Sequence, residues 1–181
     1  MKNVFNRRSF LKLGLLVPAL PLPALAGQTL SAGERRIDLH NLHTGEKVAL
    51  AYWVEGEYVA ESLAEINRVL RDHRTNQVAA IDPGLLDLLH RVTLAVGASQ
   101  PFEIISGYRS PASNQMLTEN TGGVAKRSLH MEGKAIDVRL PGIPLANLRQ
   151  AGILLQGGGV GYYPESNFVH LDVGRVRTWG G

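Results

Sequence analysis

The chain has 181 residues, 44% of them hydrophobic and 19% charged, and it contains no cysteine. That length fits one domain, and the composition excludes a disulfide scaffold, a thiolate metal site and a cysteine nucleophile. The formal net charge is +3, but residues 1–26 hold four basic and no acidic residues. Residues 27–181 therefore hold 15 basic and 16 acidic residues, a net charge of −1. This balance lacks the basic excess typical of a nucleic-acid-binding protein.

Residues 1–26 have the pattern of an export signal. A basic start precedes an apolar run over residues 13–20, and residues 24–26 form an A-x-A cleavage pattern. Residues 6–12, Asn-Arg-Arg-Ser-Phe-Leu-Lys, resemble the twin-arginine (Tat) signal. The sequence predicts a periplasmic protein without stable membrane insertion once this leader is cleaved. An uncleaved anchor is the alternative, although the apolar run is short for a membrane span.

The first half of the remaining chain is predicted to contain a hairpin and two helices. Residues 27–36 are predicted as a flexible start and residues 37–181 as one domain. Alternating apolar and polar residues predict hairpin strands over Arg36–Leu42 and Glu46–Val54. Apolar residues at helical spacing predict a first helix over Val59–Arg74, and a second helix is predicted to begin with Asp82 as its N-cap and Pro83 at its first position.

The second half is predicted to alternate short elements. They are a strand over Phe102–Ile105, a helix around Ser113–Thr118, a strand over Ala135–Leu140, a helix over Pro144–Leu155 and two closing strands over Val160–Tyr163 and Phe168–Val173. Three glycines at 157–159 predict a turn before the closing strands. Because the elements do not follow a regular βαβ order, the predicted fold is α+β, with an antiparallel sheet flanked by helices.

Three side chains have the chemistry of a metal site. His130 and Asp137 lie on either side of Gly133, where the chain can double back, and His170 shares a predicted strand face with Asp172. Two histidines and one carboxylate leave a fourth zinc position for water, as in catalytic zinc sites. The spacing alone leaves structural or surface roles open for these residues, and the same ligand set also suits Fe(II).

Several segments resemble a known superfamily of zinc peptidases. Residues 128–137 fit S-x-H-x-x-G-x-A-x-D, which resembles the signature of the D-Ala-D-Ala metallopeptidases, grouped with lysostaphin-type enzymes and the hedgehog domain. Residues 106–110, Ser-Gly-Tyr-Arg-Ser, resemble a strand end of the same superfamily, and residues 169–174 lie where it places its last ligand. The leader and residues 40–46 more narrowly resemble its periplasmic murein endopeptidase K branch.

The resemblance implies one zinc ion per chain, with His130, Asp137 and His170 as its ligands. It further implies that Arg109 holds the substrate carbonyl oxygen and the developing oxyanion, a role that suits a fixed donor in a dry site. The implied reaction is hydrolysis of peptide cross-links in peptidoglycan, such as those joining two diaminopimelate residues. The implied binding partner is therefore the peptidoglycan stem peptide.

Two other functions stay open at this point. A carboxypeptidase that trims stem peptides would need a cation for the free carboxylate, and Lys126, Arg127 and Arg175 are candidates. A non-catalytic murein-binding or partner-binding module would keep the zinc for stability. Some relatives carry a glutamate base three residues before the last ligand, where this chain has Asn167, and this difference supports the module.

The general base is predicted among three carboxylates. Asp172 is the first candidate because it shares a strand face with His170, and Glu165 and Glu132 are the others. A base must lie within about 3 Å of the attacking water or act through one bridging water. The alternative for Asp172 is a hydrogen bond that orients a ligand histidine.

Overall fold

The computed structural model describes residues 33–121 and 125–180. The predicted leader lies outside the described residues, as does most of the predicted flexible start. The strands are β1 (Glu34–Asn41), β2 (Lys47–Val54), β3 (Glu57–Tyr58), β4 (Phe102–Ser106), β5 (Ala135–Arg139), β6 (Gly159–Tyr163), β7 (Phe168–Asp172) and β8 (Arg177–Gly180). The helices are α1 (Ala60–Val69), α2 (Pro83–Val96), α3 (Pro111–Thr121) and α4 (Leu145–Leu155), with a 3₁₀ turn over Leu129–Glu132.

The described strands form one mixed sheet in the order β3-β2-β1-β4-β5-β7-β6-β8. Two neighbouring pairs, β1–β4 and β6–β8, run parallel, and the other pairs run antiparallel. The predicted α+β single domain is confirmed, but the predicted purely antiparallel sheet is wrong. The connection from β1 to β4 contains α1 and α2 and returns the chain to the same end of the sheet, which makes that pair parallel. β8 follows β7 and lies on the far side of β6, so it takes the direction of β6.

The start of α2 and the end of α1 each have a side-chain signal. The Asp82 side chain accepts a hydrogen bond from the Gly84 amide at 2.9 Å and caps α2, as predicted. Helix α1 ends at Val69, although the apolar spacing predicts a helix as far as Arg74. The buried Asp72 carboxylate accepts hydrogen bonds from two backbone amides that follow it, and this local turn replaces the helix.

The two faces of the sheet have different chemistry. Helices α1, α2 and α4 pack against one face, where Val169 and Leu171 of β7 join the hydrophobic core. Because side chains alternate along a strand, Phe168, His170 and Asp172 lie on the opposite face. No helix among the described residues is long and apolar enough to cross a membrane.

Candidate metal centre

The pairing of β5 with β7 places two of the predicted ligands side by side. Asp137 lies directly opposite His170 in the antiparallel register. The His170 Nδ1 atom is 2.8 Å from the Asp137 Oδ1 atom. Strand pairing therefore brings together two residues that are 33 positions apart in the chain.

The 3₁₀ turn before β5 supplies His130. The Ser128 hydroxyl accepts a hydrogen bond from the His130 amide at 3.4 Å, and Gly133 ends the turn with a φ of +67°. A side chain at Gly133 would collide with the Ala80 carbonyl, so only glycine fits there. This tight turn folds His130 back over the start of β5.

The three predicted ligands converge on one point. His130 Nε2 lies 3.3 Å from Asp137 Oδ1 and 3.2 Å from His170 Nδ1. Four tetrahedral zinc ligands at about 2.0–2.2 Å would be separated by roughly 3.3 Å. His130 and Asp137 are buried and His170 nearly so. Within the described residues, this is the one group of histidines and carboxylates arranged to hold a metal ion.

The other ring nitrogen of each histidine, on the side away from Asp137, lies within hydrogen-bond distance of an oxygen acceptor. His130 Nδ1 lies 2.8 Å from the Gly107 carbonyl oxygen, and His170 Nε2 lies 3.1 Å from Asp172 Oδ2. A hydrogen bond at the outer nitrogen places the proton there and leaves the inner nitrogen free to bind a metal. The structure therefore directs His130 Nε2 and His170 Nδ1 towards Asp137.

Electrostatics in this cluster favour an ionised Asp137. Burial alone would raise the pKa of its carboxyl, but the charges and hydrogen bonds of His130 and His170 hold the pKa below its ordinary value. Burial lowers the pKa of His170, whereas Asp137 and Asp172 raise it, and the net shift is upwards. An anionic oxygen beside two imidazoles is a donor set that suits a divalent cation such as zinc.

Arg109 lies beside the cluster with few strong partners. It is buried, and its Nη2 atom is 3.7 Å from Asp137 Oδ2. Its hydrogen bonds to Ser106 Oγ (3.4 Å) and Asn114 Oδ1 (3.5 Å) are long, and its Nε atom contacts no acceptor among the described residues. A buried guanidinium with spare donors can donate hydrogen bonds to an incoming oxygen atom.

Asp172 lies behind His170 rather than at the point where the ligands converge. Its Oδ1 atom accepts hydrogen bonds from the amides of Gly159 (2.9 Å) and Gly174 (2.8 Å). Arg177 donates to both carboxylate oxygens, at 3.1 and 2.7 Å. Burial would raise the pKa of Asp172, but these hydrogen bonds and the one with His170 hold it below its ordinary value. Both oxygens are therefore already engaged.

The other predicted candidates lie at the surface. Glu132 is exposed and forms an ion pair with Lys134 at 2.9 Å. Glu165 and Asn167 are exposed in the turn between β6 and β7, where Asn167 has a φ of +54°. The three cations considered for a carboxypeptidase, Lys126, Arg127 and Arg175, are also exposed.

Two residues of β8, Arg177 and Trp179, contact the site without having been predicted. Arg177 holds Asp172, and the Trp179 ring lies 5.1 Å from the His170 ring between centroids. The strand itself is absent from the sequence prediction. The signal for this strand is a period of two. Arg177 and Trp179 lie on one face of β8, and their partners Gly159 and Gly161 lie on the same face of β6.

Comparison with known proteins places these features in a family. The family model described as "Peptidoglycan L,D-endopeptidase MepK" matches residues 29–179. The MepK protein of Escherichia coli K12 is 46% identical over 178 residues, covering 96% of this chain and 97% of the relative. A probable MepK of Haemophilus influenzae is 38% identical over 180 residues, covering 97% of this chain and 96% of the relative.

The fold, the convergent ligand group and these matches define the chain as a peptidase. It belongs to the peptidoglycan L,D-endopeptidase MepK family.

Proposed function

We propose that this protein is a periplasmic, zinc-dependent endopeptidase that hydrolyses peptide cross-links of peptidoglycan. The observation that carries the proposal is the convergence of His130 Nε2, Asp137 Oδ1 and His170 Nδ1 beside the buried Arg109. The names of the relatives support the substrate class, because they specify an L,D-endopeptidase acting on peptidoglycan.

Zinc fits the three ligands by donor type, spacing and preorganisation. Two imidazole nitrogens and one carboxylate oxygen form a common catalytic ligand set. Their mutual distances of 2.8 to 3.3 Å suit one ion. When bound, zinc supplies Lewis acidity, which polarises a peptide carbonyl and lowers the pKa of water.

Arg109 is proposed to hold the carbonyl oxygen of the scissile peptide bond. Its guanidinium keeps its charge in a buried position and has donors without strong acceptors. The carbonyl oxygen would accept hydrogen bonds from these Arg109 donors, and they would strengthen as negative charge develops on it. A fixed donor in a site that excludes water stabilises such charge more than a solvated donor does.

Asp172 is proposed to orient His170 rather than to act as the general base. Its Oδ2 atom faces His170 Nε2, on the side of the ring opposite the nitrogen that points to Asp137. It also accepts hydrogen bonds from Arg177 and two amides. A carboxylate with this many donors has a low proton affinity, which suits a fixed acceptor better than a proton carrier.

The leader and its removal are part of the proposal. Residues 1–26 combine the twin-arginine pattern with an A-x-A site, and we propose that they direct export and are then cleaved. The mature chain would comprise a short start over residues 27–36 and the peptidase domain over residues 37–181. A periplasmic location would bring the domain into contact with murein.

Digestion of purified sacculi tests the function. The purified protein is incubated with sacculi after chelation, and again after zinc is restored, and the released muropeptides are separated. We expect cross-linked dimers to decrease and monomers to increase only when zinc is present. Loss of a terminal residue alone would indicate a carboxypeptidase, and unchanged muropeptides with zinc demonstrably bound would indicate a binding module.

A further inference from the structure

Strand β8 reaches the metal centre across an intervening strand. It pairs with β6, whereas the ligand His170 lies on β7, one strand further on. Gly161 lies opposite His170 in one pairing and opposite Trp179 in the other. The row Asp137–His170–Gly161–Trp179 therefore crosses four strands on one face of the sheet.

Two glycines of β6 allow this crossing. A Cβ atom at Gly161 would lie 2.7 to 2.9 Å from three atoms of the Trp179 indole. A Cβ atom at Gly159 would lie 2.5 Å from Asp172 Oδ2 and would also collide with Arg177. A larger residue at either position would displace a β8 side chain from the neighbourhood of His170.

Arg177 fixes the carboxylate that orients His170. Its Nη1 atom is 3.1 Å from Asp172 Oδ1, and its Nη2 atom is 2.7 Å from Asp172 Oδ2. Asp172 is completely buried, so this two-point contact supplies its counter-charge as well as its orientation. A lysine has one donor group and cannot reproduce the planar fork.

Trp179 restricts the His170 ring from a second direction. The two ring planes are inclined by 55° at a centroid distance of 5.1 Å. The indole is itself held in place, because its Nε1 atom donates to the Tyr163 hydroxyl at 2.8 Å and the Arg177 guanidinium lies 4.7 Å from its ring centroid. Rotation of the imidazole would therefore need movement of the indole or of Asp172.

We infer that Arg177 and Trp179 are positioning residues which hold the His170 ring in its metal-binding orientation, and that Gly159 and Gly161 are glycine so that they can do so. This inference rests on the proposed zinc function. Strand β8 supplies no ligand, but through these two residues it sets the affinity of the centre for metal.

Zinc affinity, measured against a chromophoric chelator, tests the role of Trp179. Trp179→Ala is expected to weaken zinc binding by about 10–100-fold, and Trp179→Phe by less because an aromatic ring remains. Gly161→Ala should have an effect similar to Trp179→Ala, although it leaves Trp179 itself unchanged, because the new methyl group displaces the indole. Combining Gly161→Ala with Trp179→Ala should add little, since the new methyl group then enters the space that the indole leaves.

The same assay tests Arg177. Arg177→Met is expected to weaken zinc binding by up to about 10–100-fold, because it removes the counter-charge of Asp172, the outer-sphere partner of His170. Arg177→Lys should weaken it by a smaller factor. Arg175→Gln is the matched control on the same segment, and Trp53→Phe is the control for the other tryptophan. Both controls should leave the zinc affinity unchanged.

Thermal unfolding of the metal-free proteins separates positioning from general stability. Loss of zinc affinity with little change in metal-free stability supports the inference. Unchanged zinc affinity in Gly161→Ala and Trp179→Ala, or equal losses in the two controls, would overturn it. A wild-type protein that binds no zinc would instead overturn the proposed function, so the two failures are distinguishable.

Discussion

Two carboxylates in this molecule, Asp87 and Asp137, have contrasting surroundings. Asp87 of α2 accepts hydrogen bonds from Arg35 (2.8 Å), Tyr52 (2.9 Å) and Tyr58 (2.9 Å). These donors join α2 to β1, β2 and β3 and satisfy both oxygens. Asp137 instead faces two histidine nitrogens whose arrangement suits a shared cation.

The arginine beside each carboxylate shows the same contrast. Arg35 is 2.8 Å from Asp87 and lies over the Trp53 ring at 4.2 Å. Arg109 is 3.7 Å from Asp137, and its buried Nε atom has no acceptor among the described residues. A completed network stabilises the fold, whereas a network with spare donors and converging ligands is suited to binding something else.

The largest expected effect comes from changing Asp137, one of the three proposed metal ligands. Asp137→Asn keeps the shape of the side chain but removes the anionic donor, and we expect both zinc binding and muropeptide release to fall to background. Zinc content and sacculus digestion measure this, with circular dichroism to verify the fold. Full activity in this variant would show that Asp137 is not a ligand.

A second effect is expected at Arg109. Arg109→Met should lower kcat by about 10²–10³-fold, because loss of one oxyanion donor costs this much in other hydrolases. Zinc content should remain close to wild type, since Arg109 lies 3.7 Å from the nearer Asp137 oxygen and supplies no ligand. A change confined to KM would indicate that Arg109 only binds the substrate.

Changes to the hydrogen-bond network around Asp87 should affect the stability of the fold rather than the activity. Asp87→Ala leaves the buried Tyr52 hydroxyl and Arg35 without their acceptor, and we expect unfolding to become easier by about 1–3 kcal/mol. Denaturant unfolding measures this, and kcat should be unchanged below the unfolding transition. Tyr58→Phe removes one partly exposed hydrogen bond and is expected to have a smaller effect.

The smallest effect is expected from a histidine pair that contacts neither Asp87 nor Asp137. The His43 and His73 rings stack at 3.7 Å, and burial, Arg74 and His43 lower the pKa of His73 to about 4. The unfolded chain then binds a proton, at an ordinary pKa of about 6.5, that the folded chain does not. The stability that His73 contributes is fully present above about pH 6.5 and is lost as the pH falls towards 4.

His73→Asn should therefore flatten the pH dependence of stability. The free energy of unfolding, measured by urea at about pH 7 and about pH 5, should fall less in the variant than in the wild type. His40→Gln on β1 is the control. An equal fall in wild type and His73→Asn would show that His73 does not couple protonation to folding.

Local sequence signals identified much of the scaffold. Asp82 and Pro83 mark the start of α2, and the alternation in the β1–β2 hairpin follows directly from a strand with one buried face. The same signals predicted the end of α1 too far along the chain. The predicted helix continues to Arg74, but the Asp72 carboxylate accepts hydrogen bonds from the backbone amides that follow it and ends the helix earlier.

The sequence by itself determined the chemical identity of the candidate ligands. His130 and Asp137 stand in one motif of specific residue types and His170 in a second segment, and Gly133 has the conformational freedom that the preceding turn requires. Such information is local, because it depends on neighbouring residues and on backbone preferences.

Only the tertiary structure decided which side chains surround those ligands. Asp172 lies two positions from His170 along one strand, so its proximity follows from sequence, but its contact with the outer ring nitrogen does not. The parallel pairing of β6 with β8 brings Trp179 to His170 across Gly161. Strand order and register join residues distant in the chain, and they are fixed by burial of the whole sheet rather than by any local pattern.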